Sequence, residues 1–183
     1  FVGAIAIGLD VEILVVAVEI VALAALLGVA AFDFAFVEPR WSFAVGDAQY
    51  LVTFAVLLLD LDGFKAVNDR HGHAAGDAVL IEMSRRLCEA VRDGDLVVRW
   101  GGEEFLVLLP DTDMQQALAG MERLRERVAA LRTDVGDGAQ VAITVSIGLT
   151  GHRRGDTLAQ TLERADRLLY QAKDGGRNKT TIG

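Results

Sequence analysis

Two acidic residues directly follow a pair of glycines near the middle of the chain. The glycines are Gly101 and Gly102, and the acidic residues are Glu103 and Glu104. Apolar runs flank this stretch and predict a β-hairpin over residues 96–109, with the glycines in a two-residue turn that demands positive φ values. Carboxylates beside a turn without side chains suit a divalent cation and a phosphate chain, because the bare backbone lets phosphate approach while the carboxylates hold the cation.

A further acidic residue lies at the end of an apolar run upstream. Residues 54–59 predict a buried strand, and Asp60 follows it at once. The hairpin arm that begins near Glu103 could lie beside this strand. The two carboxylates could then hold Mg²⁺ or Mn²⁺, with the carbonyl oxygen of Leu61 and phosphate oxygens completing an octahedron. Phosphoryl transfer needs little more from a protein than metal ions and a positioned nucleophile.

The elements that must position these residues alternate along the chain. Apolar periodicity predicts helices over residues 64–70, 75–92, 113–131 and 156–173, and further strands over residues 140–148 and 180–182. The resulting order, β-α-α-β-β-α-β-α-β, is that of an α/β (α+β) domain with a ferredoxin-like, palm-type core. In such a core a central, mostly antiparallel sheet is flanked by helices.

Charge divides the 183-residue chain into two parts. Residues 1–59 contain six acidic residues and one basic residue, whereas the remainder contains 20 acidic and 17 basic residues. We therefore expect a hydrophobic helical segment over residues 1–53 and a catalytic domain over residues 54–183. The net charge of −8 argues against a nucleic-acid polymer as partner.

Residues 13–32 are apolar except for Glu19 and could cross a hydrocarbon core of about 30 Å. A carboxylate in mid-membrane costs about 2.5 kcal/mol or more, so two interpretations stay open. Either the segment spans the inner membrane, with the remaining domain in the cytoplasm, or it is a buried helix of a soluble cytoplasmic protein. The chain starts at Phe1, without an initiating Met or a basic region, as expected of a fragment or processed protein without a signal peptide.

The Gly-Gly-Glu-Glu-Phe stretch resembles the GGDEF family, the diguanylate cyclase domains. Other blocks follow the family's order and spacing over residues 54–180: Leu57–Lys65, Asn68-Asp69, Gly72-His73, Gly76-Asp77, Ala165-Asp166, Leu169-Tyr170, Ala172-Lys173 and Gly176–Asn178. The resemblance implies an enzyme that joins two GTP molecules into cyclic di-GMP and releases two pyrophosphates. Since each domain would hold one GTP, it also implies a homodimer.

The resemblance also implies roles for individual residues. Asp60, the Leu61 carbonyl and Glu103 match the metal ligands. Glu103 also matches the base that activates a 3′-hydroxyl, and Glu104 would be a second ligand or orient that hydroxyl. Asn68 and Asp77 match the guanine-binding pair, an amide and a carboxylate that complement guanine, and His73 a neighbouring contact.

Further matches concern phosphate and product. Lys65, Lys173 and Arg177 match positions that contact the triphosphate, beside the bare Gly101-Gly102 backbone. Arg92 and Asp95 match a product-inhibition site, an Arg-x-x-Asp whose aspartate is separated from Gly101 by the five residues 96–100. Asp62, Arg99 and Asn178 fit the family pattern without a role that can be separated from the scaffold.

The chain departs from the family at its start, because the usual opening segment and helix are not found before residue 54. Residues 31–58 resemble instead the membrane module of potassium-responsive sensor histidine kinases. Two alternatives to a cyclase follow. The domain would bind GTP or cyclic di-GMP as a sensor without turnover, or it would be a passenger fused to a membrane sensor.

Overall fold

The computed structural model describes residues 54–136 and 138–183. The predicted membrane segment, residues 13–32, and the kinase-like segment up to residue 53 lie outside the described residues. The part of that segment that is described, residues 54–58, belongs to the first strand of the domain. None of the helices in the two described ranges combines the length and the apolar character that crossing a membrane requires.

Seven strands and four helices make up the described chain. In order they are β1 (Phe54–Asp62), α1 (Phe64–His71), α2 (His73–Ala90), β2 (Leu96–Arg99), β3 (Glu104–Pro110), α3 (Met114–Ala129), β4 (Thr133–Asp134), β5 (Gln140–Val141), β6 (Thr144–Gly151), α4 (Leu158–Asp174) and β7 (Thr180–Ile182). The predicted α/β fold, with a central sheet and flanking helices, is confirmed.

The central sheet has five strands in the order β2-β3-β1-β6-β7. Its pairs are antiparallel except that between β6 and β7, which run parallel from the pairing of Ile147 with Thr180. β1 occupies the middle position, and all its residues but the last are buried. This explains why β1 is apolar on both faces, whereas a strand with one solvated face would alternate.

The predicted strand over residues 140–148 is divided in two. Its first residues, Gln140–Val141, pair with Thr133–Asp134 in a separate two-stranded ribbon, and β6 begins only at Thr144. The ribbon is closed by the side chain of Asp134, which accepts a hydrogen bond of 2.9 Å from the amide of Gly136. Two-residue strands carry too little pattern to be predicted, since periodicity needs several residues.

Helices cover both faces of the sheet. Residues Ala55, Leu57 and Leu59 of β1 pack against α1, α2 and α3, and the residues between them pack against α4. At Gly148 in β6, a Cβ atom would lie 2.2 Å from the backbone oxygen of Ala165. Glycine at this position therefore allows α4 to lie directly on the sheet, which brings the last turn of α4 to the end of β1.

Candidate functional site

The pairing of β1 with β3 brings the predicted acidic residues together. Asp60 lies opposite Glu104 in the register, and the amide of Leu61 donates a hydrogen bond of 3.3 Å to the carbonyl oxygen of Glu103. Asp60 is buried, with 6% of its surface exposed. These four residues therefore lie side by side where β1 ends and β3 begins, as the sequence predicts. We call this end of the strands the site edge of the sheet.

In this cluster the charged form of each carboxyl group is destabilised relative to the neutral form. Burial raises the pKa of Asp60, and the ion pair with Lys173 only partly opposes that rise. Burial also raises the pKa values of Glu103 and Glu104, and repulsion from Asp60 adds to both. Carboxylates that lose solvent and repel one another form a site in which a bound cation is strongly favoured.

A positive charge already lies in this cluster. The ammonium nitrogen of Lys173, in the last turn of α4, is 2.7 Å from a carboxylate oxygen of Asp60. Within the two described ranges, no three side chains of His, Cys, Asp or Glu are arranged to hold a metal ion by themselves. The oxygen donors Asp60, Glu103 and Glu104 suit Mg²⁺ or Mn²⁺, ions that commonly share their ligands with phosphate, so the residues fit a metal held jointly with a nucleotide.

The prediction of a two-residue turn at Gly101-Gly102 is wrong. Four residues, 100–103, connect β2 to β3, and neither glycine adopts the left-handed backbone conformation. The carbonyl oxygen of Gly102 accepts hydrogen bonds of 3.2 and 2.8 Å from Arg99, and the amide of Trp100 donates one of 2.8 Å to Glu104. These contacts to side-chain and backbone groups fix a wider connection than periodicity suggests.

The glycines of this connection leave room beside the carboxylates. A Cβ atom on Gly102 would meet no other described atom within 4 Å, and one on Gly101 would lie 3.1 Å from a carboxylate oxygen of Glu104. The backbone conformation at Gly102 does not require glycine. We therefore interpret the glycine as a residue that keeps the space next to the backbone free of a side chain. An exposed, bare backbone at this edge suits the close approach of a phosphate chain.

The predicted guanine-binding residues lie on the helix pair α1 and α2. The side-chain oxygen of Asn68 is buried and has no hydrogen-bond partner among the described residues. A Cβ atom on Gly76 would lie 2.0 Å from that oxygen, so glycine there admits the amide against α2. Asp77, the next residue, is exposed, as is His73 at the start of α2. An unpartnered amide beside an exposed carboxylate offers the donors and acceptors that a base edge requires.

The other predicted phosphate contacts are Arg177, in the turn after α4, and Lys65, on α1. The charge of Arg177 opposes the burial-driven rise in the pKa of Asp60. Arg177 has a φ of 63°, a left-handed conformation that costs a residue with a side chain about 1 kcal/mol or more. Lys65 is exposed on the first turn of α1.

Comparison with known proteins decides the family. A family model described as "Diguanylate cyclase, GGDEF domain" matches residues 36–179, so its match begins ahead of β1. The chain belongs to the GGDEF family. Diguanylate cyclase A of Treponema denticola is 40% identical to this GGDEF domain over 131 residues, which are 71% of the chain and 35% of that protein. Response regulator PleD of Caulobacter vibrioides is 45% identical over 68% of the chain and 28% of its own length.

Solved structures agree with this assignment. Diguanylate cyclase SiaD of Pseudomonas aeruginosa, in complex with its activator SiaC, superposes with a TM-score of 0.69 at 44% identity, over 72% of this chain and 50% of that one. The GGDEF domain of DgcB from Caulobacter crescentus, in complex with c-di-GMP, has the same TM-score at 32% identity, over 72% and 78% of the two chains. The chain spans about a third of the length of the curated relatives it matches, 35% of the Treponema protein and 28% of PleD.

The predicted inhibitory pair of this GGDEF domain lies at the opposite end of the β2–β3 hairpin. Asp95 accepts hydrogen bonds from the amide of Arg92 at 2.9 Å and from its guanidinium at 3.3 Å. The guanidinium also donates to the carbonyl oxygen of Pro110 and, at 2.9 Å, to the hydroxyl of Thr112. The Asp95 side chain is 5% exposed and that of Arg92 57%. The pair is thus a second, separate polar cluster, in which the exposed partner is already engaged by the β3–α3 connection.

Asp62 has a structural role that the sequence pattern did not reveal. Its carboxylate accepts hydrogen bonds from the hydroxyls of Thr144 and Ser146, both at 2.7 Å, and from the amide of Asn178 at 3.0 Å. The carboxylate therefore joins β1 to β6 and to the turn after α4 in the GGDEF domain. The only sequence signal was its spacing, since residues two apart on a strand share a face.

Two other residues near the carboxylates were not singled out as functional. The charge of Asp166, on α4, contributes to the raised pKa of Glu104. Arg99 holds the carbonyl oxygen of Gly102 and so supports the connection between β2 and β3. Asp166 lies seven residues, about two helical turns, before Lys173 on α4, and this spacing could have indicated that both face the same side.

Proposed function

We propose that this GGDEF domain is the catalytic part of a diguanylate cyclase, which joins two GTP molecules into cyclic di-GMP and releases two pyrophosphates. The observation that carries the proposal is the cluster of Asp60, Glu103 and Glu104, whose pKa values are raised beside an exposed backbone connection. Relatives named diguanylate cyclase, the Treponema protein at 40% identity and SiaD at 44%, support the same activity.

In the proposed reaction, the 3′-oxygen of each GTP attacks the α-phosphorus of the other, and the same step thus occurs twice. The bond between that phosphorus and the oxygen bridging to the β-phosphorus breaks, and pyrophosphate leaves with the electron pair. The 3′-hydroxyl proton passes to a carboxylate, for which we assign Glu103. Its raised pKa brings it closer to the neutral range in which proton transfer is efficient. Glu104 lies next to it and orients the hydroxyl.

The metal and the cationic side chains would share the phosphate charge. Asp60, the Leu61 carbonyl and Glu103 would hold Mg²⁺ or Mn²⁺, which would neutralise the charge that develops on the phosphate oxygens. Lys173 and Arg177 lie at the same edge of the sheet and would bind the outer phosphates. Lys65 would contribute a further positive charge from α1.

Base selection falls to α1 and α2 in this proposal. Asn68 and Asp77 would recognise guanine, with His73 as a neighbouring contact. The unpartnered, buried amide oxygen of Asn68 supports the assignment, because buried polar atoms are normally paired and a bound base would supply the missing donor.

Turnover in this proposal requires two copies of the chain. Each domain holds one GTP, and the two nucleotides must face each other before either 3′-hydroxyl can attack. We therefore propose a homodimer as the active form. Cyclic di-GMP would also bind Arg92 and Asp95 as an inhibitor, and the complex of the DgcB GGDEF domain with c-di-GMP supports the general affinity of such domains for the product.

Product analysis of the full chain tests the proposal. Labelled GTP is incubated with Mg²⁺ or Mn²⁺ and the wild type, Glu103→Gln, or the matched control Glu163→Gln, whose glutamate is exposed on α4. Each protein is assayed alone and fused to a dimerising coiled coil. We expect cyclic di-GMP from the dimerised wild type and control, and at least about 100-fold less from Glu103→Gln, as for loss of a general base.

Two results would contradict the proposal. Undiminished product from Glu103→Gln would refute the role of that carboxylate. Saturable GTP binding by the dimerised wild type without any cyclic product would indicate a binding module.

Association with the inner membrane is a separate proposal, and it depends on residues 13–32. Their apolar length supports it. Fractionation of cells that express either the full chain or residues 54–183 tests it, and equal recovery of both proteins in the soluble fraction would exclude a membrane anchor.

A further inference from the structure

The turn after α4 has an unusual backbone. Gly176, Arg177 and Asn178 have φ values of 108°, 63° and 47° in succession. Glycine adopts such values freely, but two consecutive residues with side chains do so only where their surroundings hold them. The backbone of this turn therefore requires contacts from outside it.

Asp62 holds the turn from the side of the sheet. One carboxylate oxygen accepts the amide of Asn178 at 3.0 Å and the hydroxyl of Thr144 at 2.7 Å, and the other accepts the hydroxyl of Ser146 at 2.7 Å. Because Thr144 and Ser146 belong to β6, the sheet holds this carboxylate in place independently of its hydrogen bond to the turn.

Arg125, on α3, holds the same residue from the other side. Its guanidinium donates to the side-chain oxygen of Asn178 at 3.0 Å and to the backbone oxygen at 3.3 Å. The guanidinium is itself fixed by Glu122, 2.8 Å away, and its side chain is only 16% exposed. Asn178 thus has its amide, its carbonyl and its side chain engaged by partners that lie far from it in the chain.

We infer that Asp62 and Arg125 are positioning residues, which clamp Asn178 between them and thereby direct the neighbouring Arg177 toward the phosphates of a bound nucleoside triphosphate. Arg177 immediately precedes Asn178, and its own amide donates a hydrogen bond of 3.0 Å to the carbonyl oxygen of Ala172, so its backbone is held on both sides. The turn that carries Arg177 starts at the carboxylate cluster, because Lys173, four residues before Arg177, lies 2.7 Å from Asp60. The inference rests on the proposed function in one respect, the identity of the ligand as GTP.

Arg125→Met is the informative variant, because it removes the clamp from outside the site. Its matched control is Arg127→Met, which removes an exposed arginine from the same helix. The first measurement needs no ligand: exchange of the Asn178 amide with solvent should accelerate in Arg125→Met and not in the control. Asp62→Asn serves as a second variant where it folds.

The second measurement is binding of the non-hydrolysable GTP analogue with a methylene between the α- and β-phosphorus, compared with GMP. We expect Arg125→Met to lower the affinity for the triphosphate analogue about fivefold and to leave the affinity for GMP within about twofold of the wild type. Arg177→Ala should weaken it as well, and adding Arg125→Met to Arg177→Ala should cause no further loss, because residues that act through one another are not additive.

Several results would overturn the inference: unchanged exchange of the Asn178 amide, additive losses in the double variant, equal losses for GMP and the triphosphate, or a wild type that does not bind the analogue. A wild type that binds the analogue with these patterns but forms no cyclic product would refute the proposed cyclase activity and leave the positioning roles supported.

Discussion

Asp60 and Asp62 lie two residues apart on one face of β1, yet their surroundings differ. Among the described residues, the carboxylate of Asp60 pairs with Lys173 and is repelled by neighbouring carboxylates. That of Asp62 accepts three hydrogen bonds from β6 and the turn after α4. A carboxylate saturated by the protein's own donors serves the scaffold, whereas one that is buried with few donors is available to a ligand.

The largest expected effect is on activity, through Asp60. We expect Asp60→Asn to reduce cyclic di-GMP formation at least about 100-fold, because loss of the charge weakens metal binding. The free energy of unfolding should change by less than about 1 kcal/mol, since burial already disfavours the Asp60 anion and the partly exposed Lys173 stays in contact with solvent. Product assays and urea unfolding check both. A protein that keeps its activity but unfolds readily would reverse the roles assigned to the two aspartates.

The matching change at Asp62 should act on stability first. In Asp62→Asn an amide NH₂ group replaces one accepting oxygen and faces the donors around it. We expect a loss of about 2 kcal/mol in the free energy of unfolding, as for other lost hydrogen bonds to charged groups. Urea unfolding measures it, with Asp69→Asn, on the exposed surface of α1, as control. Equal stability of the variant and the wild type would contradict the anchoring role.

A smaller effect is expected beside Asp60, at Gly102. Gly102→Ala adds a methyl group where no described atom lies within 4 Å, so thermal stability should stay within about 0.5 kcal/mol of the wild type. If phosphate passes this backbone closely, affinity for the GTP analogue should fall about tenfold, as expected of a clash in a packed site. Unchanged affinity, measured by calorimetric titration, would show that the bare backbone is not used.

The smallest effect concerns pH. The raised pKa values of Asp60, Glu103 and Glu104 mean that, above their ordinary values near 4, the native protein binds protons that the unfolded chain does not. Stability contributed by these groups therefore rises as pH falls from neutral through the raised values and declines as pH rises.

Thermal unfolding between pH 7 and pH 5 checks this sign. We expect these groups to raise the melting temperature by about 2 °C at the lower pH, and less in Asp60→Asn. Glu122, whose pKa is lowered by its hydrogen bond to Arg125, loses its stabilising contribution only below its ordinary value and so acts outside this range. A larger rise in Asp60→Asn than in the wild type would contradict the assignment.

The same two aspartates mark how far the sequence predicts the structure. An apolar run that ends at Asp60 predicted β1, and its convergence with Glu103 followed from two elements with strong patterns. The role of Asp62 depends on Asn178, which is 116 positions away and on a turn without periodicity. Such contacts follow from tertiary packing, which single-sequence patterns do not report.

The sequence also did not predict the local geometry of two turns. The connection at Gly101-Gly102 is wider than predicted because Arg99 and the backbone of Glu104 determine its shape, not the glycines alone. Likewise, the ribbon of Thr133–Asp134 and Gln140–Val141 depends on a side-chain hydrogen bond within its own turn.

The attachment of Arg92 to the β3–α3 connection has a consequence for any regulator that binds there. Its guanidinium already donates hydrogen bonds to the carbonyl oxygen of Pro110 and the hydroxyl of Thr112. An anion that binds Arg92 therefore competes with these two oxygens for the same donor. Competition of this kind lowers the apparent affinity by the fraction of time for which the arginine is released. Half-saturation would thus require a higher concentration of such a regulator, by a factor that the hydrogen bond to Thr112 helps to set.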